Sequence, residues 1–331
     1  VAPSAFVVEG PGPAVNTLGK DPTGGGQVIQ VKGHTTYSTD SRLALTTVSV
    51  AGGPGRAING TQALWAWMNP TQDLEPREYV YPAGTTSKQE DKRNALEMTN
   101  SQENATAAAL TELGIDYTSE PIVAGFATKA NSKTLKAGDV ITSVAGTNVT
   151  DYSQVPDAVK SSKGKSIALS VKRGSKNVDV TASVGTVTGD DGSSQRSLGI
   201  FISPKYVFPF SVKFGLQDIG GPSAGTMMAL GLIDKLTPGS LAGKNKVAGT
   251  GTITADGTVG AIGGIPQKVV GARDKGATVF LAPAANCKEL KGRVPDGLTV
   301  YSIDNLHQAR QVLEKVGTGK AKSLAGVKQC G

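Results

Sequence analysis

Gly220-Gly221-Pro222-Ser223-Ala224-Gly225 and, further on, Gly263-Gly264-Ile265-Pro266-Gln267-Lys268 are the stretches on which the reading of this chain turns. The first sets a serine on a Gly/Pro turn ahead of an apolar run containing Met227, Met228, Leu230, Leu232, Ile233 and Leu236. That density predicts a helix packed inside a domain. Pro222 suits a first helical position and Pro238-Gly239 ends the pattern, so Ser223 is expected in the first turn. Backbone N–H groups there lack helical partners and, with the dipole, can hold an oxyanion. Gly221 and Ala224 leave room for a substrate backbone. The second stretch places Lys268 in the first turn of another helix, where a cation opposes the dipole. A serine hydroxyl needs a base to become a nucleophile, and a desolvated lysine can be that base. Ser223 and Lys268 therefore read as a serine/lysine dyad for amide hydrolysis, set against a plainer pairing of capping serine and surface lysine.

Working outward, residues 246–264 alternate like two short strands around an Ala255-Asp256-Gly257 turn. Residues 1–26 are rich in Gly and Pro. Residues 27–32 and 43–50 alternate like paired strands. The spacing of Leu64, Trp65, Trp67 and Met68 predicts a short helix over 60–68, and a long helix is predicted over 87–113, closed by Gly114. Residues 120–186 differ: strands with turn glycines surround one short helix. After them, 197–201 and 207–214 read as strands leading to Gly220, candidate partners for the strands of 27–50.

GPSAG at 221–225, TGTITADGTVGAIGGIPQK at 250–268 and VVGARDKGATVFLAP at 269–283 together resemble the Lon-type serine/lysine protease domain. The resemblance maps the nucleophile onto Ser223, the general base onto Lys268 and a lysine-supporting threonine onto Thr254. ATP-dependent members carry an aspartate three residues before the serine; here that position is Gly220, and the nearest carboxylate is Asp218. The stretches PGPAVNTLG, TTYSTDSRLALTTVSV, EYVYP and EMTNSQENATAAALTELG extend the likeness to an ATPase-free, PDZ-carrying branch, which implies an extracytoplasmic protein tethered by an N-terminal membrane helix. Lys136 to Ile141 and the strand ending in Lys172-Arg173-Gly174 resemble a PDZ domain, a module that binds extended peptides. The expected fold is α+β: a Lon-type proteolytic domain formed by 1–119 and 188–331, with a PDZ-like β-rich domain inserted at 120–187. In an oxidising compartment the two cysteines, Cys287 and Cys330, are expected to form one disulfide pinning the C-terminal tail.

Composition bounds the alternatives. The chain has 331 residues, 38% of them hydrophobic, and a net charge of +7. No apolar run approaches the roughly 20 residues of a membrane helix, and the start at Val1 fits a processed or trimmed N-terminus. Basic residues are scattered, without the aromatic-basic clustering of a nucleic-acid surface. Gly239 to Lys244 has one residue too few for a phosphate loop and is followed by Asn245, so no nucleotide or other cofactor is expected. His34 and His307 lie in no metal or triad motif. The leading expectation is an ATP-independent serine endopeptidase acting on protein or peptide substrates. Against it stand a catalytically silent peptide-binding scaffold and an esterase or amidase for small molecules. A serine-reactive probe would separate enzyme from scaffold.

Overall fold

Capping boxes decide where two helices begin. Asn59 and Gln62 exchange side chain-to-backbone hydrogen bonds at the start of α1 (Gly60–Met68), and Thr86 and Gln89 do so at the start of α3 (Ser87–Glu112). The computed structural model describes residues 4–22, 24, 26–82, 84–188, 194–216, 219–320 and 327–331. In its N-terminal part these helices accompany β1 (Phe6–Asn16), β2 (Ile29–Lys32), β3 (Arg42–Ala51), β4 (Asp73–Pro76) and the single turn α2 (Arg77–Val80). The middle holds β5 (Thr118–Phe126), β6 (Val140–Val144), β7 (Thr147–Asn148), α4 (Gln154–Ser161), β8 (Ser166–Arg173), β9 (Lys176–Ser183), β10 (Gly185–Thr188), β11 (Ser194–Ser197) and β12 (Ile200–Val207). The C-terminal part holds β13 (Ser211–Phe214), α5 (Gly225–Leu236), β14 (Lys246–Gly249), β15 (Thr252–Ile253), β16 (Val259–Gly260), α6 (Ile265–Asp274), β17 (Val279–Pro283), β18 (Thr299–Ile303) and α7 (Leu306–Gly317). A 3-10 helix covers Ala284–Leu290.

The chain divides into two units, Val1–Ile115 with Phe210–Gly331, and Asp116–Pro209. In the first, a six-stranded sheet has the order β18-β17-β14-β3-β1-β4. The pairs from β18 to β3 are parallel, and β1 runs antiparallel to both β3 and β4. Helices cover both faces, as a parallel sheet requires. Ala248 and Phe280 pack with Ile265 and Val269 of α6. At the next position, Gly249 faces the Met227 sulfur of α5. α5 is buried except at Lys235, which explains its all-round apolar sequence.

The second unit is a sheet of order β12-β5-β6-β8-β9 around a core that includes Val123, Leu135, Ile141, Val155, Leu169 and Val171. Here the sequence-derived boundary needs correction. Residues 194–207 do not join the first unit: β11 pairs with β10, and β12 pairs with β5 from Ile200–Phe126 to Val207–Thr118. The unit thus runs to 209, not 187. Nor do the strands of 27–50 pair with each other. β2 pairs with β13, while β3 lies between β1 and β14.

Candidate active site

The site forms at the carboxyl end of β14, between the helices on the two faces of the sheet. β14 ends at Gly249, and the next residue, Thr250, is fully buried. Its hydroxyl donates to the Ser223 carbonyl at 3.0 Å, and the Gly251 N–H donates to the same oxygen at 2.9 Å. The serine backbone is therefore fastened to the sheet. Ser223 precedes α5 rather than lying in its first turn, because Gly225 N–H closes a turn onto the Pro222 carbonyl and Ala224 is the N-cap. Thr226 N–H is taken by the Gly251 carbonyl. The N–H groups of Ser223 and Ala224 then remain with no acceptor among the described residues. Gly221, in the turn before Pro222, adopts φ +80 with open space where a Cβ would stand.

α6 brings the lysine. Its N-cap, Gly264, has φ +66, and a Cβ there would meet Val48 Cγ2 at 2.5 Å. Only glycine suits both the left-handed backbone and the close approach to β3. Four residues on, Lys268 is 3% exposed, with its Nζ 2.8 Å from Ser223 Oγ and 3.0 Å from Thr250 Oγ1. Burial disfavours the ammonium and lowers the lysine pKa to about 8, partly offset by the Glu9 carboxylate. The supporting threonine expected at Thr254 is instead Thr250. Thr254 lies in the β15–β16 hairpin, is exposed, and bonds to Asp256.

A cleft of about 580 Å3 opens over Ser223 and Lys268; its walls include Glu9, Thr46, Val48, Asn94 and Gly263. Glu9, on β1, has its pKa raised first by burial and then by Glu75 and Asp73, while Lys268 pulls it down. Its place in the site was hidden because it is remote in sequence and carries no motif. At Gly220 a Cβ would stand 2.8 Å from Asn94 Cβ of α3, so a larger residue at this position, such as the aspartate that the resemblance associates with it, would crowd α3. Asp218 lies outside the described residues.

The last turn before Lys268 is held from outside the cleft. Asn286, 2% exposed, accepts from Ile262 N–H at 3.0 Å and donates to Ile262 C=O at 2.9 Å, as a paired strand would. Its neighbour Cys287 is disulfide-bonded to Cys330. The tail also hydrogen-bonds to β18, with Cys330 N–H on Val300 and Ser302 N–H on Lys328, so the bond is not its sole anchor. Among the described residues no cluster of His, Cys, Asp or Glu suits a metal ion.

A hydroxyl in contact with a desolvated amine on the floor of a cleft, beside free backbone N–H groups, has the parts of an acyl-transfer site. Residues 214–316 match the family model of the Lon protease (S16) C-terminal proteolytic domain. The chain carries a Lon-type proteolytic domain. Similar proteins include Lon protease 1 of Bacillus subtilis, 32% identical over 170 residues, which cover 47% of this chain and 21% of that one. Lon protease 1 of Sorangium cellulosum is 39% identical over 30% of this chain and 12% of its own length. Lon protease of Buchnera aphidicola (Schizaphis graminum) is 33% identical over 36% and 16%. The matches thus span about a fifth or less of these relatives. The PDZ domain of an SdrC-like protein from Listeria monocytogenes aligns with 25% of this chain and 86% of its own at 22% identity, with a TM-score of 0.23, too low to assign the fold of the second unit.

Proposed function

We propose that the chain is a serine endopeptidase that hydrolyses peptide bonds without ATP, with Ser223 as nucleophile and Lys268 as general base. The 2.8 Å contact between a buried, pKa-lowered amine and the serine hydroxyl carries this reading. With Lys268 neutral, the Ser223 O–H donates to Nζ. Attack of Oγ on the scissile carbonyl carbon passes that proton to the amine, and the oxyanion accepts from the N–H groups of Ser223 and Ala224. The resulting ammonium protonates the departing amine, leaving an acyl-serine. Water, deprotonated by the lysine again neutral, hydrolyses the ester and frees Ser223. Gly221 and Ala224 shape the approach to Oγ.

In this reading the second unit captures substrate peptides. Between α4 and β12 runs a groove of about 350 Å3 lined by Tyr152, Val155, Pro156, Val159, Leu198 and Ile200. β12 is an edge strand, paired with β5 on one side. An extended peptide would add to its other side and place alternate side chains in the groove. The disulfide fits an oxidising, extracytoplasmic location; among the described residues no helix is long and apolar enough to cross a membrane.

The test is nucleotide-free cleavage of an unfolded protein by the purified chain, with mass spectrometry of the enzyme after a serine-reactive phosphonate. Cleavage lost in Ser223→Ala and Lys268→Arg, and an adduct on Ser223, are expected. Cleavage that survives in Ser223→Ala would discard the mechanism, and a folded wild type with neither cleavage nor adduct would favour a scaffold.

A further inference from the structure

α1 is built inside out. Its two buried side chains are the small ones, Ala63 and Ala66, packed with Val8 and Ile58. Its large apolar side chains face away: Trp65 is 72% and Trp67 73% exposed, with Leu64 and Met68 more than half exposed. These are the only two tryptophans of the chain. Burying such rings is the usual gain of an amphipathic helix, so a helix that hides alanine and shows tryptophan has a partner on its outer face.

Hydrogen bonds define the neighbourhood of this face. Ser4 N–H bonds to Ile58 C=O just ahead of α1, and Arg77 N–H, at the start of α2, bonds to Ala5 C=O. The start of β1 therefore lies between the N-terminal ends of α1 and α2. Phe6, 39% exposed, and Tyr79, 84% exposed, add aromatic rings at this edge. Arg56 and Arg77 stand here among Glu78 and the β4 carboxylates Glu75 and Asp73, the last paired with Arg293.

We infer that α1 docks onto the interfacial region of an anionic phospholipid bilayer, Trp65 and Trp67 lying at headgroup depth and Leu64 and Met68 reaching the acyl boundary. Three observations favour lipid over a protein partner. The surface is a convex helix rather than a groove. No charged residue occurs from Ala57 to Gln72, so the helix offers no ion pairs with which to select a protein. Indole and phenol rings carry an apolar body and a polar tip, the combination that suits a membrane–water interface. The chain's net charge of +7 complements anionic headgroups. The inference is independent of the peptidase reading, since it concerns a surface outside the cleft.

Because both tryptophans lie in α1, their emission reports directly on this face. Titrating the intact chain with phosphatidylglycerol/phosphatidylcholine vesicles should shift the emission to the blue and saturate. The protein should sediment with the vesicles. A Trp65→Ser/Trp67→Ser variant, with an unchanged thermal unfolding midpoint because both positions are exposed, should partition more weakly by on the order of tenfold or more. Absence of both the spectral shift and sedimentation would overturn the inference. So would undiminished sedimentation of the double variant, which would place lipid binding elsewhere, or a blue shift that grows with protein concentration without lipid, which would assign the face to a second copy of the chain.

Discussion

At the scale of single residues, the site is a problem of one proton. Lys268 has a pKa of about 8, lowered first by burial. The proposed base is therefore mostly protonated at neutral pH, and kcat/KM should rise with pH through about 8. Glu9 raises the lysine pKa, so Glu9→Gln should move that rise to lower pH; an unmoved profile would remove Glu9 from the site's electrostatics. The same shift bears on stability. The folded pKa lies below the ordinary 10.5, so between about 8 and 10.5 the unfolded chain binds more protons and stability climbs with pH. Below about 8 the full penalty remains, on the order of 3 kcal/mol. Lys268→Met should consequently be inactive yet more stable at pH 7, with an advantage that shrinks as pH approaches 10.5; a lower melting temperature at neutral pH would contradict the desolvation argument. Thr250 offers a separate test. Thr250→Val should cut activity about 10- to 100-fold through loss of hydrogen bonds to Lys268 and the Ser223 carbonyl. Thr250→Ser should recover most of it, and Thr254→Val should match wild type.

At the scale of elements, local pattern was legible where local chemistry decides structure, and pairing mostly was not. The apolar spacing and Gly114 mark α3, and the Ala255-Asp256-Gly257 turn marks the β15–β16 hairpin, because such signals are settled within a few residues; the Thr86/Gln89 capping box that starts α3 was missed. The approach of Lys268 to Ser223 was legible because each residue follows its own glycine-rich turn. Strand partners were legible only in part: 207–214 does supply β13, the partner of β2, but the neighbours of β3 and β12 were not legible, since alternation says which face is buried but not which strand lies beside it. The lysine-supporting threonine was misplaced for a related reason: Thr250 and Thr254 share one glycine-rich run, and only the end of β14 against Ser223 separates them. The 3-10 helix at Ala284–Leu290 carries a prediction of its own. Reducing the bond between Cys287 and Cys330, 43 residues apart, should cost up to about 4 kcal/mol in the chain-entropy model, and less to the extent that β18 already holds the tail. Asn286→Ala should lose activity beyond its effect on stability, because it frees the Ile262 backbone just ahead of Gly263 and Gly264. A variant with full activity at a lowered melting temperature would restrict Asn286 to stability.

For the whole molecule, the chain leaves the first unit after Ile115 and returns at Phe210, and each unit has its own core. Excising 116–209 and bridging the ends with a flexible Gly/Ser linker should therefore leave the first unit folded, since β13 is retained to pair with β2. Excising only 120–187, the boundary suggested by composition, should behave worse. That cut removes most of β5, all of β6 to β9 and all of β10 but Thr188, and keeps β11 and β12, whose partners have gone. An apolar strand with both edges unpaired invites association, so this variant should aggregate while the first remains monodisperse in size-exclusion chromatography. The clean excision also tests the division of labour between the units. If the groove between α4 and β12 captures substrate, cleavage of an unfolded protein should fall more than cleavage of a short reporter peptide, because only the longer chain can engage groove and cleft together. Equal losses on both substrates from a folded variant would mean that the second unit helps to build the cleft, and peptide capture would have to be abandoned as its role.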